Sequence, residues 1–196
     1  MPPRAPLSPA RVVDAAAAIA DRDGLDAVTL ARLAGELGVR APSLYNHVDG
    51  LDGLHRALTL RALDELGQRL QRAAVGRAGA DAVRALATGY RDFARERPGL
   101  YATTLPSSEG PDAAIRDAGH GIVATVLAVL AGYGFADEAE IHAARTLRSV
   151  LHGFASLELA GGFGLPVDVE ATFDWLLDLV TSGFADLAAA STPTTA

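Results

Sequence analysis

The chain has 196 residues, of which 49% are apolar and none is cysteine; this describes a folded protein of one domain, or a small domain joined to a larger one, and excludes disulfides, thiol nucleophiles and thiolate metal sites. Its formal net charge of −7 argues against a nucleic-acid partner, which usually needs a basic surface. The charge is uneven, however: residues 1–61 carry seven arginines against seven acidic residues, so composition leaves the partner open.

Two helices with clear start and stop signals come first. Ser8, followed by a proline, is the N-cap of a helix that Gly24 ends. Thr29 caps a second helix over Leu30–Leu37, and Gly38 stands where a left-handed C-terminal cap is expected. Each helix is thus bounded by local signals.

The stretch APSLYNHV, residues 41–48, is predicted to form a third, short helix. At helical periodicity Leu44 and Val48 project together and anchor it, while the polar side chains point outward. Ala34, Gly38 and Leu44 have the spacing of a helix-turn-helix, with a small residue where helices cross, a glycine in the turn and a leucine beneath. This spacing favours a DNA-binding motif.

Helical patterns continue towards the C-terminus, separated by segments that carry glycine or proline. A long connector helix is expected over 52–74, and no segment shows sustained strand alternation, so the predicted class is all-α. Further helices are expected at 80–95, 112–131, 137–159 and 168–190, with linkers at Pro98–Gly99, 106–111, 132–136 and 161–166. The ends, 1–7 and 191–196, are expected to be disordered arms.

Three segments carry a family resemblance. Residues 23–58 resemble the N-terminal DNA-binding domain of the TetR family of transcriptional regulators, and LGVRAPSLYNHV, residues 37–48, is the most specific part. Residues 90–105 and 147–166 resemble the TetR C-terminal variant named for a Trp-His-Gly motif, in which Leu151 here replaces the tryptophan. The resemblance implies a three-helix helix-turn-helix DNA-binding domain over 8–50, joined by the long helix to a helical ligand-binding and dimerisation domain over 51–190.

The resemblance also implies which residues face DNA. The third helix would enter the major groove, while the start of the second helix would touch backbone phosphate. The implied DNA-binding residues are Thr29, Arg32, Arg40, Ala41, Pro42, Ser43, Tyr45, Asn46 and His47.

The chemistry of these side chains suits both phosphate and base contacts. Tyr45 and His47 can donate hydrogen bonds to phosphate, and Asn46 can pair with adenine. Pro42 could meet a thymine methyl group, while Arg40 could reach either guanine or phosphate. Alternatively, Tyr45 could pack on the fourth helix, and His47 could cap the end of its own helix.

One position departs from the family pattern. Many TetR proteins carry lysine just before the fourth helix, where it contacts phosphate, but here that position is Leu51, flanked by Asp49 and Asp52. Because each neutralised phosphate adds about 0.9 to the salt slope of binding, we expect modest DNA affinity and a shallow salt dependence.

The last two predicted helices are apolar over a broad face, and the resemblance implies that they form a four-helix dimer interface. The same stripes could instead fill a monomeric core. The expected interface residues are Leu151, Gly153, Phe154, Phe173, Leu176, Leu177, Val180 and Phe184. Glycines at 153 and 183 would let backbones approach closely.

The helices between residues 80 and 160 would enclose a ligand. Candidate lining residues are polar or aromatic side chains within apolar patterns, although any one of them could be purely structural. They are Tyr90, Phe93, Tyr101, Leu105, His120, Thr125, Arg145, Arg148, His152 and Glu158. Such a lining suggests a small hydrophobic or aromatic effector.

The predicted function is a homodimeric, ligand-responsive repressor that binds a palindromic operator. The alternatives are a small all-α enzyme, for which no nucleophile, zinc or phosphate-loop motif is present, and a ligand-independent architectural DNA binder. No cofactor or metal is expected, since Glu138 and His142 lack a third ligand. The N-terminus lacks a signal peptide and no unbroken apolar run approaches 18 residues, so we expect a cytoplasmic protein without a membrane partner.

Overall fold

The computed structural model describes residues 6–105, 112–135 and 137–191, and within these ranges there is no β-strand. The all-α class is confirmed. The helices are α1 Pro9–Asp23, α2 Leu30–Leu37, α3 Gly50–Ala74, α4 Gly79–Glu96, α5 Pro98–Thr103, α6 Ala113–Leu130, α7 Glu138–Leu159 and α8 Val169–Ser191, with short 3₁₀ helices at Leu25–Ala27, Ala41–Asn46 and Ala131–Tyr133. The predicted linker 106–111 and most of both predicted arms lie outside the described residues.

The chain divides into two compact units. The first comprises Met1–Glu65 with Glu96–Ala118, and the second comprises Leu66–Arg95 with Gly119–Ala196. The long helix α3 contributes to both units, and α5 belongs to the first. The functional boundary expected near residue 50 stays a prediction, but the compact units divide the chain differently.

The predicted caps of the first two helices are confirmed. The backbone N–H of Arg11 donates to Ser8 Oγ at 3.3 Å, which starts α1. Gly38 adopts the left-handed conformation, with φ 67° and ψ 37°, and so ends α2. These signals are local, which is why the sequence alone located both helices within one residue.

Buried aliphatic side chains from several helices form the core of the first unit. They come from α1, α2, the 3₁₀ helix Ala41–Asn46, α3 and α5, and their burial supplies most of the driving force for folding this unit. The fully buried members include Val12, Ile19, Leu33, Leu44, Leu54, Leu58 and Leu100.

The predicted linker at Pro98–Gly99 is wrong, because the short helix α5 begins there. Asp21 of α1 supplies the N-terminal acceptor: its Oδ1 accepts from the backbone N–H groups of Gly99 at 3.0 Å and Leu100 at 3.1 Å. Gly99 lies directly on the backbone of α1, where an added Cβ would be 2.1 Å from the carbonyl carbon of Ala20. Asp21 of α1 therefore caps the N-terminus of α5.

A chain of ion pairs also links α1, α3 and α5 within the first unit. Arg97 Nε donates to Asp21 Oδ2 at 2.7 Å, and the same guanidinium pairs with Glu65 of α3. Glu65 also accepts from Arg61 Nε at 2.6 Å, and Arg61 pairs in turn with Asp14 of α1. These contacts position α5 on its two neighbours.

The second unit contains a buried arginine between aromatic rings. Arg91 of α4 is 4% exposed, and it donates to Glu158 Oε2 at 2.9 Å and to Glu170 Oε2 at 2.6 Å. Its guanidinium lies over the rings of Phe173 and Phe154, 4.6 and 5.2 Å from their centroids. The hydrogen bonds that Arg91 donates to Glu158 and then to Glu170 raise the pKa of Arg91 despite the opposing effect of burial, so this cation stays charged.

The segment formed by α6 and the residues that follow it is strongly apolar, although no unbroken apolar run marks it in the sequence. The segment Ala113–Tyr133 is long and apolar enough to cross a membrane by length and composition alone, with a mean hydropathy of 1.4 over its best 18-residue window. Only 11% of that window is buried within the chain. A helix in a water-soluble protein can also meet these two criteria.

Candidate nucleic-acid interface

The segment predicted as an α-helix over 41–48 is a 3₁₀ helix over Ala41–Asn46. Its backbone bonds join residues three apart: Ser43 N–H donates to the carbonyl of Arg40 at 2.9 Å, and His47 N–H to that of Leu44 at 2.8 Å. A 3₁₀ helix has three residues per turn, so side chains three positions apart stack above one another.

The 3₁₀ helix is anchored on one side and exposed on the other. Leu44 is 0% exposed, whereas Val48, the second predicted anchor, is only half-buried. On the outer side Tyr45 is 61% exposed, and Pro42 and Asn46 are exposed as well. Pro42 and Tyr45 are three apart and therefore form one outward edge, which is suited to contact a surface.

Two residues predicted to contact phosphate, Thr29 and Arg32, already make contacts within the chain. The Oγ1 of Thr29 accepts from the backbone N–H of Arg32 at 3.2 Å and caps α2. The Arg32 guanidinium pairs with Asp23, which also pairs with Arg22. Arg40 is exposed. For Arg32 to reach a phosphate it would have to give up or share Asp23.

The helix α3 begins at Gly50, two residues before its predicted start, and Leu51 lies in its first turn. Leu51 is 38% exposed, and both Asp49 and Asp52 are exposed. The N-terminus of a helix attracts anions through its free N–H groups, yet two carboxylates already lie here.

The ten predicted ligand-lining residues, which stay a prediction, differ in burial and in the unit to which they belong. Phe93 and Tyr101 are buried, Glu158 is held by Arg91, and His120 and Arg148 are exposed. Tyr101 and Leu105 belong to the first unit, and the others belong to the second. The half-buried members are Tyr90, Thr125 and His152, and the other exposed members are Leu105 and Arg145.

Thr125 alone of the ten borders an open cavity at the end of α3. This cavity has a volume of about 420 Å³ and lies in the second unit. Its lining is Gln71, Ala74, Val75, Arg77, Ala78, Gly79, Thr125, Ala128, Val129 and Gly132. Neither Gln71, in the last turn of α3, nor Arg77, just after it, was predicted to line a cavity, since nothing in the sequence distinguishes them from ordinary polar surface residues.

Most of the predicted dimer residues lie in the core of the second unit. Leu151, Phe154, Phe173, Leu177 and Phe184 are buried within the chain, and Leu176, Val180 and Gly153 are half-buried. A side chain already buried in one protomer offers little surface to another. At Gly153 and Gly183, by contrast, an added Cβ would meet no other described part of the chain within 4 Å beyond the backbone of its own helix.

The exposed apolar residues of α8 are different ones. Trp175, Leu179 and Leu187 are 67%, 58% and 62% exposed. Their spacing in the sequence predicts a shared side of the helix. Trp175 and Leu179 are four residues apart, and Leu187 follows eight residues after Leu179. The α8 helix is therefore apolar on two sides.

Comparisons with known proteins agree with this architecture. Residues 83–180 match the family described as "Tetracyclin repressor-like, C-terminal domain". The uncharacterized HTH-type transcriptional regulator Rv0681 of Mycobacterium tuberculosis is 41% identical over 86% of this chain and 78% of its own length. The uncharacterized HTH-type transcriptional regulator YobS of Bacillus subtilis is 38% identical over 93% of this chain and 95% of its own.

The fold is also found among solved structures. A TetR variant from Acinetobacter baumannii AYE, in complex with minocycline, superposes with a TM-score of 0.68 at 24% identity, covering 93% of this chain and 99% of that one. The two relatives are named as regulators rather than enzymes, and both names include the helix-turn-helix. The chain belongs to the TetR family of helix-turn-helix transcriptional regulators, whose members bind DNA.

Proposed function

We propose that this protein is a ligand-responsive repressor that binds a palindromic operator as a homodimer and is released by a small hydrophobic or aromatic effector. One observation carries the DNA-binding part: the buried Leu44 holds a short helix whose outer edge exposes Tyr45 and Pro42. An exposed aromatic side chain on a rigid anchor is suited to contact the DNA backbone at fixed geometry.

We infer a dimer because the helix proposed to contact the bases is short. Six residues in a 3₁₀ helix can contact few bases, so specificity requires a second copy on a half-site about 34–36 Å away. The exposed face of α8, which carries Trp175, Leu179 and Leu187, is the surface we assign to this contact. Gly153 and the half-buried Leu176 and Val180 would lie at its margin.

The effector would act through the second unit. The cavity beside Thr125 is lined mainly by alanine, valine and glycine with a few polar groups, which suits a small apolar molecule. A structural neighbour, the TetR variant from Acinetobacter baumannii AYE, is known in complex with minocycline. The Trp-His-Gly type of the C-terminal domain and a cytoplasmic location are further parts of this proposal.

The connector α3 is the element through which the effector would control DNA binding. Its residues up to Glu65 belong to the first unit and those from Leu66 to the second, so it is the helix to which we assign the coupling. A coupling free energy of about 1–3 kcal/mol would weaken operator binding roughly 5–150-fold.

The site assignment is tested with a double variant, Tyr45→Ala with His47→Ala. On an operator obtained by selection from random DNA, we expect binding at least about tenfold weaker, because two backbone contacts per protomer are lost. His142→Ala, which removes an exposed histidine of α7, is the matched control and should bind like the unaltered protein. Equal DNA affinity of the double variant and the control in a mobility assay would rule out the assignment.

A further inference from the structure

A carboxylate lies between two arginines where the end of α1 meets the start of α2. Asp23 Oδ2 accepts from Arg22 Nε at 2.8 Å, and it also pairs with the guanidinium of Arg32. Arg22 in turn donates through Nη2 to Glu36 Oε1 at 2.9 Å, near the end of α2. All four side chains belong to the first unit, and together they tie α1 to α2.

Neither Asp23 nor Arg32 suits the helix that carries it. Asp23 is the last residue of α1, where the helix dipole favours cations. Arg32 lies in the first turn of α2, where the dipole favours anions. The stability of each helix therefore does not account for its charge. The ion pair between the two side chains offsets both mismatches, because each charge neutralises the other.

Arg32 is also one of the residues predicted to contact a DNA phosphate. A guanidinium binds a carboxylate and a phosphate through the same N–H donors, so Asp23 occupies a donor that a phosphate would use. The side chains of Arg32 and Asp23 are 40% and 30% exposed, and ion pairs between exposed groups are weak. A phosphate can therefore displace the carboxylate, which keeps Arg22 as its partner.

We propose that Asp23 is a positioning residue that limits DNA affinity, because its carboxylate competes with an operator phosphate for the guanidinium of Arg32. The inference rests on the operator binding of the proposed function and adds which residue limits its strength. In the unaltered protein each phosphate contact of Arg32 costs the ion pair with Asp23, so Arg32 adds little net affinity and little salt dependence. Without this carboxylate, Arg32 is available to phosphate in every operator complex.

The substitution Asp23→Asn tests the competition, and Asp26→Asn is its matched control. Both remove one negative charge, but Asp26 lies in the 3₁₀ helix Leu25–Ala27, is exposed and makes no ion pair with any residue that the structure describes. On an operator selected from random DNA with the unaltered protein, we expect Asp23→Asn to bind at least about fivefold more tightly at low salt, and Asp26→Asn within about twofold. The slope of log K against log salt should steepen by about 0.9 per protomer in Asp23→Asn alone.

A double-mutant cycle with Arg32 separates this role of Asp23 from a structural one. Introduced into the unaltered protein, Arg32→Gln should change operator affinity by no more than about twofold, but in the Asp23→Asn background it should remove most of the gain. Asp23→Glu keeps the carboxylate and should retain the affinity and the salt slope of the unaltered protein. Fluorescence anisotropy on the selected operator measures every affinity, and circular dichroism checks that each variant is folded.

Two kinds of result would overturn the inference in different ways. If Asp23→Asn and Asp26→Asn share one affinity and one salt slope, or if the gain survives in the double variant Asp23→Asn with Arg32→Gln, Asp23 does not compete for Arg32 although DNA binding stands. If the unaltered protein selects no operator from random DNA, the DNA-binding part of the proposed function fails, and this inference fails with it.

Discussion

At the scale of single residues, Gly99 marks a close approach of two helices in the first unit. Gly99 opens α5 against the last full turn of α1, and an added Cβ would also lie 2.4 Å from the carbonyl oxygen of Ala20. Backbone atoms cannot move aside as a flexible side chain can, so this position excludes every residue with a Cβ unless the two helices separate.

We therefore expect Gly99→Ala to lower the free energy of unfolding by about 2 kcal/mol or more, because α5 must move away from α1 and the contacts of Asp21 with its N-terminus weaken. Urea denaturation followed by circular dichroism measures the change. Gly35→Ala is the matched control: it lies within α2 with no atom near the added Cβ, and should stabilise by about 0.5–1 kcal/mol. Equal effects of the two substitutions would contradict the packing argument.

At the scale of the elements, the Arg91 cluster determines how three helices meet. It joins α4 to the end of α7 through Glu158 and to the first turn of α8 through Glu170. The pairing also affects the carboxylate, since the hydrogen bond from Arg91 lowers the pKa of Glu170 against the opposing effect of burial. The cluster is thus a charge-dependent link between α4 and the α7–α8 hairpin.

A pH dependence follows from this pKa. Because the pKa of Glu170 is lower in the folded state, its contribution to stability is fully present above the ordinary value of 4.5 and is lost as the pH falls through the folded-state pKa. Glu170→Gln should therefore melt at a lower temperature than the unaltered protein at pH 7, and the difference should shrink below pH 4.5. Glu138→Gln, on the exposed start of α7, is the control. A melting difference that stays constant down to pH 3 would contradict this role for Glu170.

The 3₁₀ helix Ala41–Asn46 shows that the sequence of a short segment can predict a helix without predicting its type. Six residues contain about two turns of a 3₁₀ helix, too few for a periodicity of 3.0 to be told from one of 3.6. The sequence therefore indicated a short anchored helix correctly and its type wrongly. The consequence is local: Val48 becomes half-buried, and Leu44 remains the fully buried anchor.

At the scale of the whole molecule, net charge opposes DNA binding. The charge of −7 lies outside residues 1–61, so the end proposed to bind DNA is neutral and the remainder is acidic. Few phosphates can then be neutralised, and Leu51, where the family resemblance led us to expect a lysine, lies in the first turn of α3. A neutral binding end predicts weak salt dependence.

Leu51→Lys should strengthen operator binding at low salt and steepen its salt dependence. One added phosphate contact per protomer raises the slope of log K against log salt by about 0.9, and two protomers raise it by about 1.8. Fluorescence anisotropy from 50 to 300 mM salt measures this slope. Val123→Lys adds the same charge at an exposed position of the second unit that does not line the cavity, so it should leave the slope nearly unchanged. A slope that rises equally in both variants would show that only net charge matters.

The sequence by itself determined the features that depend on near neighbours. The caps at Ser8, Thr29 and Gly38, the helical class and the short anchored segment around Leu44 follow from residues within a few positions of one another. The backbone groups at the end of a helix lack partners within the helix, and a capping side chain only a few positions away can bond to them.

Only the tertiary structure decided the features that depend on distant residues. Asp21 caps α5 from 78 positions away, and Arg91 meets Glu158 and Glu170 at separations of 67 and 79. The two apolar sides of α8 look alike in sequence, and packing alone determined that Phe173 is buried while Trp175 is exposed. Periodicity reveals that a helix has an apolar face, but which face a neighbour covers is fixed by the three-dimensional arrangement of the other helices.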